Sequence, residues 1–217
     1  MQKPGILSKN KIFFSFFVVI VTIISGYILI ANFGTADHLK NGEKLYKEGK
    51  FKKALAPLKK ASELDSKSFK AHYLLGKTNE ALQDLDQALK YLEIASKIKP
   101  KNAEVHYDVA LIYKAKANYD KAINEFKKAA KLQPTFVAAK LMLAETYAQD
   151  GQTKKAIAYY EDILKEKLEN IDNKRIRLNL VKLYKENNQN KKALEQVNKV
   201  LKTDPNNLEA KKLKEVI

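Results

Sequence analysis

Three histidines, His38, His72 and His106, are the only ones in the chain, and they stand 34 residues apart. Imidazole is the commonest metal ligand among side chains, so an even spacing of histidines is the first place to look for chemistry. Zinc, however, holds each ligand nitrogen about 2.1 Å from one point, whereas helices stacked side by side lie about 8–10 Å apart. Of histidines one structural interval apart on stacked elements, the first and third therefore cannot share an ion, and all three are expected to sit in the core, hydrogen-bonded. The chain has no cysteine, which removes disulfides, thiolate ligands and thiol nucleophiles. It has no Gly-rich phosphate loop, no HExxH and no GxSxG. Its carboxylates are scattered beside lysines, as on solvated helix faces. No enzyme, metal or cofactor is expected.

The interval belongs instead to the elements that carry the histidines. Ala54, Ala88, Ala122 and Ala156 keep the same 34-residue spacing, and Ala193 joins them after a shift of three. Gly42, Gly76, Ala110, Ala144 and Val181 stand at the eighth place of each unit, and Ala61, Ala95, Ala129, Ile163 and Val200 lie seven residues beyond the alanines. Pro100, Pro134 and Pro205 close three units, with Ser66 and Leu168 at the corresponding places in the others. Small residues on both helices of a hairpin let the axes approach closely, and proline pushes the residue before it out of helical geometry. Only 7 glycines and 5 prolines, with abundant Ala, Leu, Lys and Glu, agree with an all-α chain.

A 34-residue helix–turn–helix period resembles the tetratricopeptide repeat. The stretch "YDVALIYKAKANYDKAINEFKKAAKLQP" keeps Ala110, Tyr113, Tyr119, Ala122, Phe126, Ala129 and Pro134 at the places this family favours. The resemblance implies an α-solenoid of five units, 35–68, 69–102, 103–136, 137–170 and 174–207, with residues 208–217 as a capping helix. The fourth unit lacks its stopping proline and three residues, 171–173, follow it, so its second helix is expected to run long and the superhelix pitch to change there. Pro57 inside the second helix of the first unit is expected to kink it.

Ahead of the repeats, a short basic segment (1–11) leads into "IFFSFFVVIVTIISGYILIANF", residues 12–33, with no charge between Lys11 and Asp37. As a helix those 22 residues span about 33 Å, enough for a hydrocarbon core of about 30 Å. "GTA" before Asp37 leaves a cleaved signal peptide as the competing reading, but the apolar run exceeds the roughly 7–15 residues of a signal core, which favours a transmembrane anchor. Lys3, Lys9 and Lys11 place the N-terminus in the cytosol, although Lys40, Lys44 and Lys47 follow closely and weaken the bias. The expected location is a bacterial inner membrane with the repeats extracytoplasmic.

Proteins of the resembled family bind other proteins along the surface lined by the first helix of each unit. That implies a groove made by Leu39, Tyr73, Tyr107, Leu141 and Leu178 at the fifth places, with Leu111 and Met142 beside them. An apolar, aromatic stripe suits an extended or helical peptide. The family's carboxylate clamp is not expected, because its places hold Tyr73, Lys77, Asp108, Ala138 and Met142, or Tyr107, Leu111, Met142, Arg175 and Asn179. The net charge of +16 is carried largely by lysines of the second helices and makes anionic lipid a further candidate partner; with only two arginines and no reader motif, nucleic acid ranks last. The expected function is a membrane-anchored scaffold or adaptor. The alternatives are a cytosol-facing receptor for precursor proteins and a regulatory module that senses acidic lipid or polymer.

Overall fold

The computed structural model describes residues 20–21, 34–166 and 172–217. All regular structure among them is helical. Helix α1 is described over residues 34–47, and it is followed by α2 (Phe51–Leu64), α3 (Phe69–Ala81), α4 (Leu85–Ile98), α5 (Ala103–Ala115), α6 (Tyr119–Leu132), α7 (Val137–Gln149), α8 (Thr153–Lys165), α9 (Asn173–Glu186), α10 (Asn190–Thr203) and α11 (Leu208–Glu215). The chain divides into two compact units, Met1–Ile98 and Lys99–Ile217. In the first, α3 packs on α2 and α4; in the second, each helix from α5 to α10 packs on the next, and α11 packs on both α9 and α10.

Each hairpin turns in the same way. Gly49, Gln83, Ala117, Gly151 and Asn188 all adopt φ between 54° and 73°, and all occupy the fifteenth place of their repeat. The next residue returns its N–H to the fifth carbonyl back: Lys50 to Leu45, Asp84 to Asn79, Asn118 to Tyr113, Gln152 to Tyr147 and Gln189 to Tyr184, at 2.7–2.9 Å. This pairing satisfies carbonyls that the end of a helix would otherwise leave open. The second-helix starts are held by side chains where the sequence allows it: Asn118 accepts from Lys121 N at 3.3 Å and Asp84 from Gln87 N at 3.1 Å. Ser68, Asn102, Asp172 and Asn207 cap α3, α5, α9 and α11 in the same manner.

The small residues at the eighth place do what close crossing requires. A methyl added to Gly42 would fall 2.5 Å from Leu58 Cγ, and one added to Gly76 would fall 2.5 Å from Leu92 Cγ. Ala54, Leu58 and Ala61 of α2 and Ala88, Leu92 and Ala95 of α4 are buried beneath them. In the second unit the eighth place carries Ala110, Ala144 and Val181, all buried, and the residue sixteen further on is Phe126, Tyr160 or Val197.

Helix α2 is continuous through Pro57, and Ala54, Leu58 and Ala61 on either side of it are buried. One departure from the sequence expectation has a local cause. Helix α8 does not run long: it ends at Lys165, and the Glu166 carboxylate is drawn 2.5 Å from Lys140 Nζ on α7. Residues 167–171 lie outside the described residues. So does the expected anchor at 12–33, apart from Ile20 and Val21, which are helical and exposed. Among the described residues no helix is long and apolar enough to cross a membrane.

The histidines take up packing roles. His72 and His106 are buried and His38 is half-buried. His72 Nε2 donates to the Ser66 carbonyl at 3.1 Å, and its ring stacks on Tyr91. His106 Nε2 donates to the Pro100 carbonyl at 3.0 Å, and Nδ1 lies 2.6 Å from Glu125 Oε2. A carbonyl can only accept, so Nε2 carries a proton in both rings, and both nitrogens of His106 are engaged.

Candidate partner-binding recess

Two first helices of the second unit, α5 and α7, present Tyr107, Leu111, Leu141 and Met142 half-buried. Tyr107 meets Phe126 edge-on at 5.6 Å and leans on Phe136 at 4.9 Å, so one side of its ring is packing. Leu178 differs from the expectation, for it is 6% exposed and belongs to the core of the unit. In the first unit, Leu39 packs partly buried against the cluster of Ala54, Leu58, Leu74 and Leu75, and Tyr73 stacks on Phe69 at 5.5 Å.

Leu141 and Met142 have a more specific setting. They line a recess of about 100 Å³ whose walls also include Tyr160, Ile176, Arg175 and Asn179. A second hollow of about 310 Å³ adjoins it, sharing Glu145, Tyr160, Arg175 and Asn179 and continuing toward Lys182 and Glu186. The recess thus runs between α7, α8 and α9, where the 34-residue period is broken by three extra residues.

The chemistry of the recess is an apolar floor with a polar margin. Tyr160 is buried, and its hydroxyl oxygen accepts from the Asn179 amide at 3.2 Å. Burial raises the Tyr160 phenol above the ordinary tyrosine value, against the opposing effect of that bond. Lys114 of α5 reaches across to Glu145 of α7 at 3.3 Å and to Met142 Sδ at 3.9 Å, which neutralises one carboxylate at the rim. Lys182 is turned outward onto Glu209 of α11 at 2.7 Å. Arg175 is exposed at the mouth, and among the described residues its guanidinium has no ion-pair partner. A guanidinium is a planar donor set suited to carboxylate or main-chain oxygen. Together these groups can bury one apolar side chain and hydrogen-bond the backbone or an acid beside it. Among the described residues no cluster of three or more His, Asp or Glu could hold a metal.

Sequence reasoning finds Leu141 and Met142 and misses Tyr160, Ile176 and Asn179. Tyr160 stands at a core place of its repeat, so its type gives no sign that one edge faces a cavity. The legible signal is the three-residue break in the period, read above only as a change of pitch.

Paired antiparallel helices with a common turn, repeated along the chain, define an all-α helical-repeat protein. The family model described as "Tetratricopeptide repeat" matches residues 45–112 and 149–217, and the chain belongs to that family. A second model, "Regulator of microtubule dynamics protein 1-3", matches residues 109–177. Among solved structures, YrrB, described as a TPR protein with an unusual peptide-binding site, superposes with a TM-score of 0.72 at 20% identity, covering 82% of this chain and 90% of its own. MamA superposes with a TM-score of 0.73 at 22% identity, over 79% of this chain and 92% of its own. A MamA fragment from Desulfovibrio magneticus RS-1 does so at 0.70 and 17% identity, over 81% and 97%. At these identities the likeness is one of fold. No curated protein sequence matches the chain significantly.

Proposed function

We propose that this protein is a membrane-anchored scaffold that holds a peptide segment of a partner protein, in a bacterial cell-envelope assembly, with its repeats outside the cytoplasm. The observation that carries the binding half is the recess between α7, α8 and α9: an apolar floor of Leu141, Met142, Ile176 and Tyr160 beside Arg175, which has no ion-pair partner among the described residues. One apolar side chain of an extended peptide would fill the floor, and Arg175 and Asn179 would take its main-chain or side-chain oxygens. Tyr107 and Leu111 on α5 would extend the contact. The description of YrrB as peptide-binding supports the reading by analogy of fold.

The anchoring half rests on residues 12–33, an uncharged stretch of membrane-spanning length, and on Ile20 and Val21 within it being helical with exposed apolar side chains.

Selection of a displayed random-peptide library on the detergent-solubilised full chain tests the binding half. The expected result is a consensus with one apolar anchor residue, lost when selection is repeated on Met142→Glu, which puts a charge on the recess floor. Circular dichroism of the variant should match the parent, since Met142 is only half-buried. A consensus that Met142→Glu retains, or no consensus at all, overturns the assignment of this recess.

A further inference from the structure

Helix α2 differs from the other second helices in how its charges are disposed. Its exposed face is Lys52, Lys53, Ala56, Lys59, Lys60 and Glu63, which at 3.6 residues per turn is one continuous strip. No ion pair, hydrogen bond or ring contact neutralises any of the four lysines among the described residues. The acids flanking them in sequence are Glu48, which pairs with Lys44 and Lys50, and Glu63 and Asp65, and none of the three pairs with the strip. In the second unit the lysines of comparable helices are mostly engaged. Lys121 lies over Tyr113, Lys155 over Tyr147 and Lys192 over Tyr184, at 5.2–5.4 Å. Lys128 pairs with Glu125, Lys165 with Asp162 and Lys199 with Glu195. Four unneutralised ammonium groups on one strip repel one another unless something anionic covers them.

The position of the strip says what could cover it. A methyl on Gly34 would lie 3.6 Å from the Leu64 side chain, so the first described turn of α1 adjoins the last turn of α2. Gly34 directly follows the uncharged residues 12–33. If that stretch spans a bilayer, Gly34 emerges at its surface, and Leu64, 38% exposed, emerges with it. Lys59 and Lys60 then lie within about 8 Å of that level along α2, and Lys52 and Lys53 roughly 10 Å further, at 1.5 Å per residue. The nearer pair reaches the headgroups and the farther pair remains within about a Debye length of them.

We propose that the four-lysine strip of α2 docks on the anionic headgroups of the membrane that residues 12–33 cross, tilting the first repeat onto the lipid surface. This rests on the anchoring reading given above. Each lysine contributes about fivefold to the docked-to-undocked ratio where the surface is acidic, and nothing where it is neutral.

The chain has no cysteine, so Ala56→Cys, at the centre of the strip, provides a unique thiol for a fluorescent probe. The labelled full chain is reconstituted into vesicles carrying a nitroxide-quencher lipid, made of phosphatidylcholine alone or with phosphatidylglycerol. Resistance to carbonate extraction in both lipids reports the anchor. The expected result is quenching that grows when phosphatidylglycerol is added. It should fade between about 0.01 M and about 1 M salt, over which the screening length falls from about 30 Å to about 3 Å. It should also be lost in the variant Lys52→Gln, Lys53→Gln, Lys59→Gln, Lys60→Gln. Carbonate resistance with quenching that phosphatidylglycerol does not change overturns the docking proposal alone. Loss of the chain to carbonate in both lipids overturns the anchoring reading and this one with it. A probe that responds to a soluble oligonucleotide or acidic peptide but not to phosphatidylglycerol assigns the strip to a soluble polyanion and overturns it also.

Discussion

Burial, the largest cause in each case, holds the hydroxyls of Tyr159, Tyr160 and Tyr184 above the ordinary phenol value of 10.0. At Tyr184 the effect is reinforced because its hydroxyl donates to the Glu161 carboxylate, a bond that only the neutral phenol can make. A raised folded value means that these groups favour folding fully below pH 10.0 and that the contribution is lost as pH rises through the folded values. In a near-ultraviolet titration these three of the 11 tyrosines should ionise after the exposed ones, and stability should fall over the same alkaline range. Simultaneous ionisation of all tyrosines in a still-folded protein would contradict the burial argument. His106 and His72 show the same dependence of role on neighbours. They share a place in the repeat, but Glu125 faces one ring and Tyr91 the other, so one has a partner at Nδ1 and the other has none among the described residues.

At the scale of the helical hairpin, the backbone asks for opposite things at two places seven residues apart. The fifteenth place needs a left-handed residue, yet Gln83 and Ala117 occupy it with side chains that cost roughly 1–2 kcal/mol there. In the first unit the eighth place needs the absence of a side chain, because Leu58 and Leu92 fill the space over Gly42 and Gly76. Ala117→Gly should therefore stabilise the protein by about 0.5–1 kcal/mol, and Gly76→Ala should destabilise it by about 1–3 kcal/mol. Urea unfolding of the two variants, which exchange the same two residue types in opposite directions, checks both signs. The helix register was legible in advance because Ala54, Ala88, Ala122, Ala156 and Ala193 must all be small for the same steric reason. The turn was not, because Gly49, Gln83, Ala117, Gly151 and Asn188 share a backbone conformation and no side-chain type. The recess was half legible for a similar reason. Leu141 and Met142 stand where exposed apolar residues are expected, whereas Tyr160 and Ile176 have the types and places of core, and Leu178 reads as surface but is buried.

For the whole molecule, the proposal joins a protein-binding domain to a membrane through a single short segment, and its orientation decides which proteins it can meet. Protease added outside intact spheroplasts should digest the repeats if they lie beyond the cytoplasm. Protection that is lost only on lysis would support the cytosol-facing receptor instead. The recess sits in the unit Lys99–Ile217 and the lysine strip in the unit Met1–Ile98, so the proposed partner capture and the proposed lipid docking fall on separate groups of residues. Met142→Glu and the lysine variants should accordingly each leave the other measurement unchanged.

The uniform turns have one more consequence, for folding. Every hairpin is closed by bonds between residues five apart, and its two helices are neighbours in sequence, so little chain entropy is spent bringing distant segments together. Each pair of helices can therefore close without waiting for distant segments, in whichever compartment the chain emerges to fold. Its remaining apolar face is covered only when the next pair stacks on it, so folding should proceed by addition of neighbouring pairs rather than by long-range collapse.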